Sequence, residues 1–142
     1  MERIEFFIPG TPTPKQSMRI GRKNGKMQTF TAAPVVNYQN LIKLQAHQAM
    51  QGRPLITGPV TLNIVIYFLP PTSLTKKEKA LLADGKLYPL VRPDRDNCLK
   101  GIQDGLNGIV YVDDKQVVDG VLQKRYGNQK GVQVEILWGY DN

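Results

Sequence analysis

Apolar and polar residues along the chain fall into two kinds of period, and their alternation maps most of the elements. Ile4 to Pro9 reads as a strand. From Val60 to Phe68 the pattern is strict, with Val60, Leu62, Ile64, Ile66 and Phe68 on one face of a half-buried strand over Pro59–Phe68. Val132, Val134, Ile136 and Trp138 repeat the same two-residue period near the end of the chain. A helical period governs Val35 to Met50, where Val35, Tyr38, Ile42, Ala46 and Ala49 fall on one side, with Pro34 at a position that a first helical turn tolerates. A second long helix is predicted over Asp94–Leu106, with Gly108 just past its end, and a short one over Thr75–Ala83.

The remaining segments are assigned by their breakers. Gly10 to Lys26 carries Pro12, Pro14, Gly21 and Gly25 among five basic residues and is predicted as a loop or arm, with Met27 to Thr31 as a short returning strand. Leu87 to Pro93 is expected to be extended, because Pro89 and Pro93 disfavour helix just before them. Val110–Val112 and Val117–Tyr126 read as strands, and Gly127 to Gly131 as a turn. Strands and helices are thus mixed along the chain. The expected fold is α+β, one compact domain over residues 1–142, with a mixed, mainly antiparallel sheet packed by two main helices.

Length and composition agree with that picture. A chain of 142 residues with 41% hydrophobic content can bury a core without staples. Its longest apolar stretch, Val60 to Pro70, is interrupted by Thr61 and Asn63 and is shorter than the roughly 20 residues of a membrane span, so no membrane partner is expected. The N-terminal residues enter a strand directly, with no signal peptide expected. A single cysteine, Cys98, allows no internal disulfide and suits a reducing cytoplasm. One cysteine and one histidine, His47, cannot build a structural zinc site, so any metal must be held mainly by oxygen.

Charge changes the picture more. The net charge is +7, and no acidic residue occurs between Glu5 and Glu78, a span that holds Lys15, Arg19, Arg22, Lys23, Lys26, Lys43, Arg53, Lys76 and Lys77. Six of the 12 acidic residues lie instead at Asp94, Asp96, Asp104, Asp113, Asp114 and Asp119. A basic protein with one acidic island fits a polyanion binder that also holds a cation.

The chemistry concentrates in Arg92–Lys100 and Tyr111–Asp119. On a helical wheel Cys98, Leu99, Ile102 and Leu106 form an apolar face, opposite Asp96, Lys100, Gln103 and Asp104. Asp94 alone reads as an N-cap, and Asp96 with Lys100 as an exposed ion pair. Two carboxylates this close repel unless a positive charge sits between them, and a hard divalent cation meets that need. Asp113 and Asp114 follow after a short connection; if both are extended, their side chains point to opposite faces and only one serves the cation. Tyr111, Phe30 and Tyr88 read first as buried aromatics and second as platforms for unpaired bases. Cys98 and Trp138 read as core, His47 as solvated or interfacial, and Asp104 and Asp119 as exposed residues or outer supports.

The Asp-x-Asp-Asn-x-x-Lys element from Asp94 to Lys100, the Asp-Asp-x-Gln-Val-Val-Asp element from Asp113 to Asp119 and the basic N-terminal segment resemble the RusA family of Holliday junction resolvases. The layout is similar from about Ile4 to Trp138, and the specific match lies between Asp94 and Asp119. The resemblance implies a homodimeric Mg²⁺-dependent endonuclease, with one or two ions per site and Mn²⁺ as a substitute, that nicks two opposing strands of four-way DNA. It carries catalytic roles onto Asp94, Asp96, Asp114 and Lys100, with the three aspartates as metal ligands and Asp113 as a further candidate. Lys15, Arg19, Arg22, Lys23 and Lys26 are the expected DNA contacts. The alternatives are a non-catalytic branched-DNA binder and a Mg²⁺ enzyme acting on other nucleic acids or nucleotides. No GxxxxGK[ST] phosphate loop is present to favour a nucleotide.

Overall fold

Strand β4 (Val60–Phe68) is the centre of the sheet, because its alternating apolar side chains Val60, Leu62, Ile64, Ile66 and Phe68 are all buried. The computed structural model describes residues 1–13, 19–23, 25–30 and 33–139, with side chains omitted for 19–23, 26–30, 33 and 35. On one side of β4 lies β7 (Gly131–Trp138), antiparallel in a register from Val60↔Trp138 to Tyr67↔Gly131. Beyond β7 lies β1 (Glu2–Pro9), again antiparallel, from Glu2↔Trp138 to Pro9↔Gly131. The other side of β4 is covered in parallel by β5 (Val117–Asp119) and then β6 (Leu122–Tyr126). The sheet is therefore mixed, with its two longest ladders antiparallel, and the fold is α+β.

Of three α-helices among the described residues, the first and the third cover one face of this sheet. Helix α1 (Ala33–Met50) buries Tyr38, Ile42, Ala46 and Met50, a stripe at i, i+4, i+8 and i+12. A second helix, α2 (Lys76–Ala83), starts from a capping box in which Thr75 Oγ1 accepts from Glu78 N at 3.1 Å and Glu78 Oε1 accepts from Thr75 N at 3.0 Å. None of its residues is buried. The third, α3 (Arg95–Leu106), buries Cys98, Ile102 and Leu106, so the predicted apolar face is the one that packs. It approaches α1 closely through Gly105, where an added Cβ would lie 2.8 Å from Ile42 Cγ2 and 2.9 Å from Ile42 Cβ.

Three sequence expectations are corrected. The segment read as a loop, Gly10 to Lys26, contains β2 (Arg19–Lys23), which pairs with β3 (Lys26–Phe30). The reason lies in the Asn24-Gly25 dipeptide, a two-residue hairpin signal, with Gly25 at φ +77°. Val110–Val112 is not a strand; Tyr111 makes only isolated bridges to Ile56 and Asn107. Val117–Tyr126 is not continuous either, because it breaks at Gly120. There φ is +143° and a Cβ would fall 1.9 Å from the Leu62 carbonyl oxygen, so the chain needs glycine to pass. Asn63 closes the gap by accepting from Val121 N at 3.1 Å through Oδ1, while its Nδ2 donates to Glu135 Oε1 at 2.9 Å.

Among the described residues no helix is long and apolar enough to cross a membrane. The close approach of α1 and α3 gives a stability prediction with a reversed sign. Alanine for glycine inside a helix ordinarily stabilises by about 1 kcal/mol. Gly105→Ala is expected to destabilise by about 1–3 kcal/mol through overpacking against Ile42, read from urea unfolding. A stabilised variant would show that the two helices separate freely.

Candidate functional site

The entrance of α3 fixes the first pair of carboxylates. Asp94 has extended backbone, φ −78° and ψ 165°, and acts as the N-cap: its Oδ1 accepts from Asn97 N at 3.1 Å. Capping occupies one lone pair and leaves other acceptor sites of the carboxylate available. Asp96 follows in the first turn, where the helix dipole favours an anion. Both line an open cleft of about 620 Å³ shared with Arg92, Arg95, Lys124 and Leu90. Lys124 Nζ donates to the Val91 carbonyl at 2.5 Å and so ties β6 to the segment that leads into the helix. Lys100, exposed, stands one turn after Asp96 on the same side of α3.

The other end of α3 carries the second acidic group. Ile109 N and Val110 N both donate to the Leu106 carbonyl at 3.1 Å, and Gly108, at φ +76°, donates to the Tyr111 carbonyl at 2.8 Å. This tight reversal buries Tyr111 completely and sends Asp113 and Asp114 back along the end of the helix. Asp113 is extended, at φ −154° and ψ 150°, and Asp114–Gln116 forms a single 3-10 turn. Gln116 anchors that turn. Its Oε1 accepts from Asp113 N at 3.0 Å, and its Nε2 donates to the carbonyls of Ile56 and Gly58 at 2.8 and 2.9 Å.

Electrostatics show which groups sense one another. Partial burial holds the Asp114 carboxyl above the ordinary carboxylate range, and the charges of Asp113 and Asp104 push it further the same way. The phenol of Tyr111 is raised well above its usual value by burial, with Asp114, Asp104 and Asp113 adding to the shift. Burial also pushes the Cys98 thiol up to about 11, against a lowering by Lys124. The buried position of this thiol agrees with its reading as core.

The predicted site residues therefore fall into two groups. Asp94 and Asp96 belong to the start of α3 and Lys100 to its middle, whereas Asp113, Asp114 and Asp104 belong to its end. Asp104 comes eight positions after Asp96, about 12 Å along the axis. Among the described residues no three Asp, Glu, His or Cys side chains stand close enough to hold one ion. Asp113 and Asp114 are not a continuous extended pair pointing to opposite faces, because Asp114 opens the 3-10 turn and its carboxylate interacts with that of Asp113. Lys15 lies outside the described residues. For Arg19, Arg22, Lys23 and Lys26 the backbone places the positions in the β2–β3 hairpin, with Lys23 opposite Lys26 beside its turn. His47 is exposed on α1 and Trp138 is buried, as expected.

Sequence reasoning passed over Gln116 and Lys124. The signal for Gln116 was its place two residues after an acidic pair, where an amide can donate and accept at once. Lys124 carried no such signal, since only the parallel pairing of β6 with β4 brings it to the α3 entrance.

Comparison with known proteins bears on the whole chain. Residues 9–137 match the family model described as endodeoxyribonuclease RusA, a span that includes both acidic elements. The chain belongs to the RusA endodeoxyribonuclease family. A relative, "Uncharacterized protein YqaN" of Bacillus subtilis (strain 168), is 35% identical over 138 residues, covering 96% of each chain. Its name states no activity, so the enzymatic character of this RusA-family chain rests on the family itself.

Two predictions come from the second acidic group. Gln116→Ala frees the 3-10 turn from Ile56 and Gly58, and is expected to lower divalent-metal affinity or activity by about 10–100-fold while the fold persists. Isothermal titration with Mg²⁺ and a circular dichroism spectrum check both halves. For Asp114 the raised carboxyl means that the folded chain holds its proton more tightly than the unfolded chain. This contribution to stability is present in acid and is lost as pH rises through the raised value. Metal-free Asp114→Asn should therefore melt close to wild type in acid and above it at neutral pH, while losing activity. Equal melting curves at both pH values would remove the carboxylate repulsion.

Proposed function

We propose that this RusA-family protein is a Mg²⁺-dependent, structure-selective endonuclease that resolves Holliday junctions by paired nicks in opposing strands, in recombination and repair. One observation supports this reading above others. Asp94 and Asp96 open a helix inside a cleft whose remaining charged lining is Arg92, Arg95 and Lys124. Cations suited to phosphate surround carboxylates suited to a metal, the arrangement that a polyanionic substrate with a metal-assisted scissile bond requires.

The donor set fits a hard cation. Asp94, Asp96 and Asp114, with Asp113 as a further candidate, offer only oxygen, while the thiol of Cys98 is buried and His47 lies on α1 away from them in the chain. Mg²⁺, or Mn²⁺ in its place, would be held by Asp94 and Asp96 at one end of α3 and by Asp114 at the other, since the three do not gather around one point within a single chain. When bound, the ion supplies Lewis-acid polarisation of the phosphate and a lowered pKa for an attacking water. The chain's own residues do the rest. Lys100 offers its ammonium to the negative charge that builds on the phosphate. Arg92, Arg95 and Lys124 orient the backbone at the cleft, and Lys15, Arg19, Arg22, Lys23 and Lys26 hold the flanking duplex with a strength that falls as salt rises. In the metal-free chain burial and the charges of Asp113 and Asp104 hold the Asp114 carboxyl above the ordinary range, and a positive charge beside it would favour the ionised form.

A homodimer belongs to the proposal. Two coordinated cuts in a symmetric junction need two sites in two-fold relation, which a dimer supplies. It also provides a second copy of each acidic group, which matters because the groups of one chain stand at opposite ends of α3. The cytoplasm, at bacterial or phage DNA, is the proposed place of action.

The test is cleavage of a labelled four-way junction, a linear duplex and a single strand, each with Mg²⁺ or chelator. Symmetric nicks confined to the junction and dependent on Mg²⁺ are expected. Asp96→Asn should bind the junction with wild-type affinity and cut at least about 100-fold more slowly, the scale set by losing a group that acts on transition-state charge. Lys100→Ala should slow cutting by about 10²–10³-fold for the same reason. Binding without nicking by the wild type would leave the non-catalytic junction binder standing instead.

A further inference from the structure

We infer that Leu90 is an apolar wedge that enters the branch point of the DNA, and that it makes this cleft prefer branched over continuous duplex. The inference deepens the junction-nuclease reading and rests on it.

Leu90 is the most exposed large hydrophobic side chain among the described residues, at 93%. It has apolar neighbours, since Val91 is 52% and Tyr88 48% exposed. Single exposed leucines are ordinary, but a projecting apolar run at the lip of a charged cleft calls for an occupant. The run is also held firmly. Pro89 and Pro93 are both buried and flank the exposed residues 90–92, so the segment is anchored on each side by a residue with fixed φ. Lys124 Nζ bonds the Val91 carbonyl at 2.5 Å, and the Arg125 guanidinium lies 5.1 Å from the centre of the Tyr88 ring. A side chain presented on so constrained a support gives up little conformational freedom when it is inserted.

The surroundings decide what the occupant is. Leu90 lines the same cleft as Asp94 and Asp96, and Arg92, Arg95 and Lys124 are its cationic neighbours there. A partner that satisfies both demands is anionic on its outside and apolar within, which describes phosphate backbones enclosing base faces. Apolar side chains enter DNA between base steps, and the cost of doing so is the stacking they displace. In a continuous duplex that cost is paid in full. At a branch point the stack is already interrupted, so the same insertion is cheaper. Leu90 thereby converts a difference in DNA shape into a difference in affinity, without reading any base edge.

The experiment uses the full-length protein carrying Asp96→Asn, so that substrate survives, with 2-aminopurine placed beside the branch point of a four-way junction and at the matching position in linear duplex. With Leu90 present, junction binding should raise the fluorescence as the base unstacks, and duplex binding should raise it less. Adding Leu90→Ser should remove the rise and lower the junction-to-duplex affinity ratio by about tenfold or more, the scale of one lost stacking contact. Leu90→Met, which restores an apolar side chain of similar size, should recover both. An unchanged ratio and fluorescence in Leu90→Ser overturns the wedge while junction binding itself stands. A shift of Leu90→Ser to a smaller species in sedimentation also overturns it, by assigning the residue to contact with a second copy. Failure of the Asp96→Asn protein to bind the junction at all overturns the junction reading and the wedge with it.

Discussion

Everything at the candidate site depends on how helix α3 is gripped. Its buried stripe of Cys98, Ile102 and Leu106 faces the core, and at Gly105 it comes so near Ile42 of α1 that no Cβ fits without displacement. This contact fixes the position of the helix along its own axis as well as its distance from α1. Both acidic groups hang on its ends: Asp94 and Asp96 through the N-cap, Asp113 and Asp114 through the hydrogen bonds that fold the chain back on Leu106. The polar chemistry is thus positioned by apolar packing that takes no part in it, a division of labour that suits a rigid site.

The second acidic group illustrates what that rigidity has to resist. Asp113 and Asp114 are neighbours near Asp104, and partial burial together with their mutual repulsion holds the Asp114 carboxyl above the ordinary carboxylate range. Left to itself, a turn carrying such charges would relax outward into solvent. Gln116 opposes this by bonding across the chain to Ile56 and Gly58, residues just ahead of β4, while its own carbonyl holds Asp113 N. One amide therefore ties the acidic turn to the central strand. Under the proposed function, the stability that the turn forgoes is the counterpart of a group that receives positive charge.

Much of the scaffold was legible from periodicity, because β4, β7, α1 and α3 each bury one regular face. What sequence misjudged were places where local geometry, not period, decides. The hairpin of β2 and β3 hid behind its glycines and lysines, although Asn24-Gly25 is a turn signal in its own right. The run from Val117 to Tyr126 reads as one strand until Leu62 is seen to occupy the space a side chain at 120 would need. For the site, the residue types and the N-cap at Asp94 were legible, but the division between the two ends of α3 was not. Spacing along the chain shows that Asp113 follows the helix closely, which is a statement about its C-terminal end and not about the entrance where Asp94 and Asp96 stand.

That division bears on how selectivity and chemistry are arranged. At the entrance of α3, carboxylates, cations and a projecting leucine share one cleft, joined through Lys124, which lines it and bonds the backbone beside Leu90. Because β6 lies parallel to β4, its far end delivers Lys124 and Arg125 to the segment around Tyr88 to Val91. Any movement of that segment must therefore either carry β6 with it or break the Lys124 bond and the Arg125–Tyr88 contact. A substrate that fits the apolar lip leaves this support intact and meets the carboxylates in their folded positions. One that pushes the lip aside loses the support of Lys124 as well as the apolar contact. Under the wedge proposal, shape recognition and presentation of the acidic pair are coupled by the same lysine, a coupling that charge alone would not produce.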